Sequence, residues 1–270
     1  MNELDSAPVK VSVVIPCFNH GEFLPEALAS VSEARREDVQ VIVVDDGSTD
    51  DRTQAEIDKL AGRKDLYVIR QQNKGLAAAR NAGIAASRGQ YILPLDADNR
   101  IRPAYLERGI PILDSNSRVG VVYGDAEYIG SRAGRWKVDR FDSKQLLGWN
   151  FIDACAMYRR VIWEQNGGYD GDMPVQGYED WDFWLGALEN GWEFVKVREV
   201  MFEYRTSPSS MITRARGFER EVQSYVARKH SQLYYQGWRN WLDEEMSITR
   251  TTGKLAKLVH RRVKRRLGFV

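Results

Sequence analysis

The chain has 270 residues, 43% of them hydrophobic and 29% charged, which suits one large α/β domain with or without an appendage and excludes a disordered or collagen-like chain. The formal net charge of +1 hides an asymmetry, because from Gly253 onward GKLAKLVHRRVKRRLGFV carries seven Lys or Arg and no acid, leaving 32 basic against 38 acidic residues, net −6, in the remainder. The start, MNELDSAPVK, has no apolar core, and no later stretch approaches the roughly 18 uninterrupted apolar residues of a membrane span, so a cytoplasmic protein is expected. Cys17 and Cys155 lie far apart in sequence, and a reducing compartment is the simpler reading of both.

Strands and helices alternate through the first half. VSVVIP (11–16) reads as a buried strand, LPEALASVSEA (24–34) as a helix with Pro25 in its first turn, and VQVIVVDD (39–46) as a second strand. LYVIR (66–70) is a third strand, followed by a glycine-bearing loop and the alanine-rich helix LAAARNAGIAAS (76–87). YILPLD (91–96) is a fourth, and Arg102-Pro103 opens another helix. This order predicts a mostly parallel, Rossmann-like sheet flanked by helices, with ligands gathered at the carboxyl ends of the strands. The clusters FNHG, DDGSTD, QQNKG and DADN all fall there. After residue 119 the pattern loosens into short strands (VGVVYG, AEYIG, RWKV), a tryptophan-bearing stretch around Trp149, and a Gly-rich loop that runs into a helix over about 179–189. A domain of 1–215, with halves of about 10–100 and 101–215, is expected to precede a helical extension over 216–270.

Four constellations carry chemistry. Asp96 and Asp98 end the fourth strand two residues apart, on one face if the strand continues, where two anions repel unless a cation or proton separates them. A solvated turn explains the pair as well as a site does. A second acidic loop at the same sheet edge favours a ligand that brings a hard divalent cation, Mg²⁺ or Mn²⁺, such as a diphosphate. Asp46 precedes Ser48-x-x-Asp51, a capping-box spacing, and projects from a strand end where a carboxylate can accept from the ring N–H of uracil, thymine or guanine. Arg80 lies near the start of a helix of small residues, placed either to reach solvent or to face a diphosphate. In GYEDWDFWLG, Glu179 and Asp180 diverge by about 100° on a helix. Here an acidic first turn with an aromatic core face stands against a general base, Asp180, beside a floor for a sugar ring made by Trp181 or Trp184, and a carboxylate at a helix N-terminus is expected to stay ionised.

Taken together, VSVVIPCFN, VVDDGSTD, NKGLAAARNAGI, GQYILPLDADN, GGYD and GYEDWDFWLG, in this order over about residues 10–212, resemble the family 2 glycosyltransferases, which have the GT-A fold. The resemblance implies transfer of a sugar from a nucleotide diphosphate donor, UDP ahead of dTDP and GDP, to an acceptor hydroxyl with inversion. It implies a donor pocket of Pro16, Phe18, Asp46, Asn73, Gly75, Arg80, Asp96 and Ala97. It further implies a Mn²⁺ or Mg²⁺ ion held by Asp98 with Asp96 nearby, Asp180 as the base, Trp181 toward the acceptor, and Glu179 in acceptor binding or support. Two departures are visible: Ser207 stands where the family often has a histidine after Tyr204-Arg205, and the Gln-x-x-Arg-Trp signature of processive synthases is absent, which favours one sugar per encounter.

Leu255, Leu258, Val259, Val263 and Leu267 follow helical spacing with basic residues largely opposite, a pattern suited to an anionic membrane surface at its inner face or to packing on the acidic body or a partner, while the family resemblance implies a glycan or lipid-linked acceptor. No nucleic-acid partner is expected. The rival readings are a nucleotidyltransferase, which needs a basic Gly-rich loop that PCFNHGEFL does not supply, and a non-catalytic nucleotide-sugar-binding module, which has no use for Asp180.

Overall fold

A computed structural model describes residues 8–34, 36–207 and 217–252, with side chains to 245. Two compact units are present, 1–226 and 227–270. The boundary expected near residue 215 falls on residues outside the described set, as do the last four residues of FEYRTSPSSM and the basic amphipathic segment 255–267.

In the first unit, strand β1 (Val11–Cys17) is buried along its whole length and pairs in parallel with β2 (Val39–Asp45) on one side and β4 (Tyr91–Pro94) on the other. Strand β3 (Tyr67–Arg70) adds in parallel to β2. Burial on both faces explains the unbroken apolar runs of β1 and β4. Pro16 sits inside β1, yet β1 pairs with β4 only over Val11–Val14, so on that side the ladder has ended before the proline could interrupt it. Helices α1 (Leu24–Glu33), α2 (Asp51–Leu60) and α3 (Leu76–Ala86) form the connections. The small residues of α3 let it lie close on the sheet, since a Cβ at Gly83 would fall 2.4 Å from Val14 Cγ1. The cap of α2 is Asp50, which accepts from the Thr53 N–H at 2.8 Å, whereas the expected Ser48 is turned back to accept from the Asn19 N–H.

Beyond the short strand β5 (Arg100–Ile101) and helix α4 (Ala104–Ser115), the second half departs from the loose pattern expected. VGVVYG and AEYIG are one strand, β6 (Val119–Gly130), with β7 (Gly134–Trp136) hairpinned to it. Helix α5 (Ser143–Gly148), strand β8 (Met157–Arg159), helices α6 (Arg160–Asn166) and α7 (Glu179–Glu189), and the long strand β9 (Glu193–Thr206) follow. The sheet order is β3-β2-β1-β4-β8-β6-β9-β5, with β8 antiparallel to both neighbours and β6 parallel to β9. This is a mostly parallel sheet flanked by helices. Helix α8 (Glu219–Lys229) runs across the boundary of the two units, and α9 (Ser231–Thr252) lies in the second. Among the described residues no helix is long and apolar enough to cross a membrane.

Candidate active site

The donor end of the site is built from the loops after β1 and β2. Phe18 is exposed just past β1, and Asn19, at φ 55, accepts from the Thr49 N–H at 2.8 Å, tying the two loops together. Asp46 is buried and spends its oxygens inside the protein: Oδ1 accepts from Gln71 Nε2 at 2.7 Å and Lys74 N at 2.9 Å, and Oδ2 from Gly75 N at 2.9 Å. Through these bonds the Asp46 carboxylate braces the 71–75 loop that carries exposed Asn73. Gly75 begins α3 at φ +88, a conformation that L side chains rarely adopt, and a Cβ there would also meet Gln176 Nε2 at 2.7 Å.

The DADN segment is a turn beyond β4, so its geometry comes from local bonding, with the Asn99 N–H donating to the Asp96 carbonyl at 2.9 Å, and not from strand alternation. Ala97 is buried while both acids are half-buried. Arg205 of β9 fixes the turn from outside: Nε donates to the Asp98 carbonyl at 2.9 Å, its backbone N–H to Asn99 Oδ1 at 2.8 Å, and its guanidinium lies over Phe23. Burial, and then the charge of Asp96, push the Asp98 carboxyl up to about 6.

Arg80 was expected to face a diphosphate. It is instead 1% exposed, with NH1 on Glu179 Oε1 at 2.7 Å and NH2 on Asp96 Oδ1 at 2.8 Å. Burial alone would lower its pKa, but the two carboxylates outweigh that and hold it charged. Of the two roles expected for Glu179, acceptor contact or support, the geometry matches support: it is buried and also accepts from the Gly177 N–H at 2.8 Å at the start of α7.

Trp181 and Trp184 are no floor for a sugar. Both are fully buried, with indole N–H groups given to the Leu146 carbonyl at 2.7 Å and the Ile152 carbonyl at 3.0 Å. Helix α7 is buried around most of its circumference, so an amphipathic reading could not tell which aromatic faces outward. Its second residue, Asp180, remains half-buried. Asp180 Oδ1 accepts from the Trp181 N–H at 2.8 Å, and Oδ2 from Asn150 Nδ2 at 2.9 Å. Burial raises its pKa well above the ordinary carboxylate range, helped by Glu179 and Asp153 and opposed by Arg80, which corrects the expectation of a carboxylate held ionised by its helix end.

Two contributors escaped the sequence reading. Asp153 accepts from the Cys155 N–H at 2.8 Å and is pushed up to about 7 by burial and then by Asp96. Asn150 and Asp153 belong to a loop with no recognisable motif, and only folding carries that loop to α7. The phenol of Tyr204 on β9 feels Asp153, Asp96, Asp98 and Asp180 together, each holding its proton on, with burial the larger cause. These four carboxylates therefore converge on one region from β4, the loop before β8, and α7. A cavity of about 790 Å³ lined by Asp125, Arg135, Arg140, Phe141 and Lys196 contains none of them. Among the described residues no group of three or more His, Cys, Asp or Glu could hold a metal ion by itself.

The profile described as Glycosyl transferase family 2 matches residues 12–175. An uncharacterised glycosyltransferase of Methanocaldococcus jannaschii is 24% identical over 72% of this chain and 70% of its own length. YwdF of Bacillus subtilis, an uncharacterised glycosyltransferase, is 27% identical over 67% and 69%. Chondroitin synthase of Escherichia coli is 25% identical over 74% of this chain, which spans 30% of that larger protein. In structure, residues 1–349 of S. aureus TarS superpose with a TM-score of 0.60 at 21% identity, over 74% of this chain and 61% of that one, and crystals of the same protein hold UDP or UDP-GlcNAc. With the profile covering more than half of its length, the chain belongs to glycosyl transferase family 2 and is a glycosyltransferase of the GT-A fold.

Proposed function

We propose that the chain moves one sugar per encounter from a UDP-sugar to an acceptor hydroxyl, with inversion, in a single displacement for which Asp180 is the base. The observation that carries this reading is that Arg80 joins Asp96 at 2.8 Å to Glu179 at 2.7 Å, which brings the DADN turn and the neighbouring Asp180 to one site. Inversion needs a proton acceptor on the face of the sugar opposite the departing diphosphate, and a carboxylate on α7, a different element from the turn that carries Asp96 and Asp98, allows that division of roles. The upward shift of Asp180 suits a base, since a carboxylate of raised pKa takes the proton from the attacking hydroxyl more readily once it is ionised. The TarS complexes support UDP as the nucleotide, and the exposed Phe18 and Asn73, with Pro16 behind them and Asp46 bracing the loop, are the residues offered to it. A lipid-linked or cell-surface glycan precursor is the acceptor class that the family resemblance favours.

Mg²⁺ or Mn²⁺ fits the donor set. Asp98 and the oxygen of Asp96 not bonded to Arg80 are hard ligands, and these ions bind through one or two carboxylates with substrate phosphates completing the shell. When bound, such an ion neutralises charge developing on the leaving diphosphate. The chain's own part is to aim the two carboxylates, through Arg80 at Asp96 and Arg205 at the Asp98 carbonyl.

The test is release of UDP from a panel of UDP-sugars with Mn²⁺ or Mg²⁺, by the unsubstituted protein and by Asp180→Asn. Release is expected, with turnover lowered about 10²–10⁴-fold in the variant while UDP binding stays within about threefold. A variant retaining a tenth of the activity, or a protein that binds UDP but turns over no UDP-sugar, defeats the assignment.

A further inference from the structure

The tryptophans expected to floor the acceptor site are sealed in the core, yet a third indole stands beside Asp180 in the open. Trp149 is 41% exposed. Its ring meets Tyr178 edge-on, with centroids 5.8 Å apart at 75°, and Trp181 at 5.8 Å and 51°. Its neighbour in sequence, Asn150, holds Asp180 Oδ2 at 2.9 Å. The ring is thus tied to the base by one residue of backbone and one hydrogen bond, on a segment anchored to α7 again at Leu146 and Ile152.

An exposed indole on a buried, rigid support has a physical use. Ligand sites are lined by aromatic rings with a few polar groups that fix orientation, and a ring already held by two others loses little freedom when a ligand covers it. A pyranose presents a flat face of C–H groups that such a ring can cover, with hydroxyls around its edge, whereas an acyclic polyol has no comparable face.

We propose that Trp149 is the acceptor platform of this enzyme, stacking on the apolar face of a pyranose ring whose edge hydroxyl then lies at Asp180. The assignment rests on Asp180 being the base. It also commits the acceptor to a cyclic sugar at the reacting end.

The test uses the full chain with UDP and Mn²⁺, titrated with methyl β-D-glucopyranoside, methyl β-D-galactopyranoside, methyl N-acetyl-β-D-glucosaminide and, as the acyclic comparison, ribitol, read by saturation-transfer NMR. At least one pyranoside is expected to bind through its C–H face, about tenfold more weakly in Trp149→Ala and within about threefold in Trp149→Phe, which keeps a ring. Equal pyranoside binding by Trp149→Ala and the unsubstituted chain, no pyranoside binding by the unsubstituted chain, or a preference for ribitol overturns the platform. UDP release from UDP-sugars by the unsubstituted chain separates the two levels: with release intact, a negative titration sinks only Trp149, and without release the donor reading itself falls.

Discussion

Arg80 shows how one residue decides whether the acids of the site can coexist. It lies almost wholly buried on α3, between Glu179, which is as buried as itself, and Asp96, whose side chain is 31% exposed. Tyr169 adds a ring face at 5.5 Å, and Phe183 stacks on that ring at 4.3 Å. The sequence pattern placed Arg80 near the diphosphate because its chain neighbours pointed to the strand ends, but spacing does not say whether a long side chain reaches out or in. Removing the cation leaves Glu179 as an uncompensated buried anion and frees Asp96 to repel Asp98. Arg80→Met should therefore cost about 3–5 kcal/mol of stability, read from urea midpoints, with Arg80→Lys in between because an ammonium cannot span both carboxylates as a fork does. A loss under about 1 kcal/mol would mean that the ion pairs form but do not hold the site together.

At the scale of elements, the segment from α5 to β8 matters most. Three bonds stitch it to α7, at Leu146 to Trp181, Asn150 to Asp180 and Ile152 to Trp184. Two are made by core tryptophans to backbone carbonyls, so they hold the segment whatever residue stands at 150. Asn150→Ala should accordingly leave the urea midpoint within about 1 kcal/mol of stability while kcat falls about 10–100-fold with the KM for the UDP-sugar little changed, the signature of a base that is present but poorly aimed. A rise in that KM at constant kcat would place Asn150 in donor binding instead. The first four strands were legible in the sequence because β1, β2 and β4 are largely buried and give apolar runs, and because helices separate the strands, α1 with Pro25 in its first turn. The second half was not. Gly124 breaks the apolar run of β6, yet it is needed there because a Cβ would fall 2.2 Å from Met201 Cγ of β9, and β9 carries charged residues and register shifts that disguise its length. Asp96, Asp98 and Asp180 stood out in sequence because their motifs are local. Asn150, Asp153 and Trp149 did not, because their relation to Asp180 exists only once α5 and β8 are in place.

For the molecule as a whole, the convergence of acids makes stability depend on pH in a direction opposite to that of a protein held by ordinary salt bridges. Asp153 is the clearest reporter. It faces Asp96 and Asp98, with Asp180 also coupled to it, against Arg80 and the Cys155 N–H, and its carboxyl is pushed up to about 7 from an unfolded value near 3.9. Between those values the folded state binds more protons than the unfolded state, so stability falls as pH rises through this window, and above about 7 the full cost is felt. Asparagine keeps an oxygen for the Cys155 N–H and carries no charge. Asp153→Asn should thus be more stable than the unsubstituted protein by about 1–3 kcal/mol at pH 8, with the advantage gone near pH 4.5. Paired urea titrations at the two pH values measure it, and an advantage of equal size at both would show that the aspartate costs packing and not charge. The same repulsion is what a bound cation relieves, so Mn²⁺ with UDP should raise the midpoint of the unsubstituted protein more at pH 8 than at pH 4.5, where protons already occupy the acids.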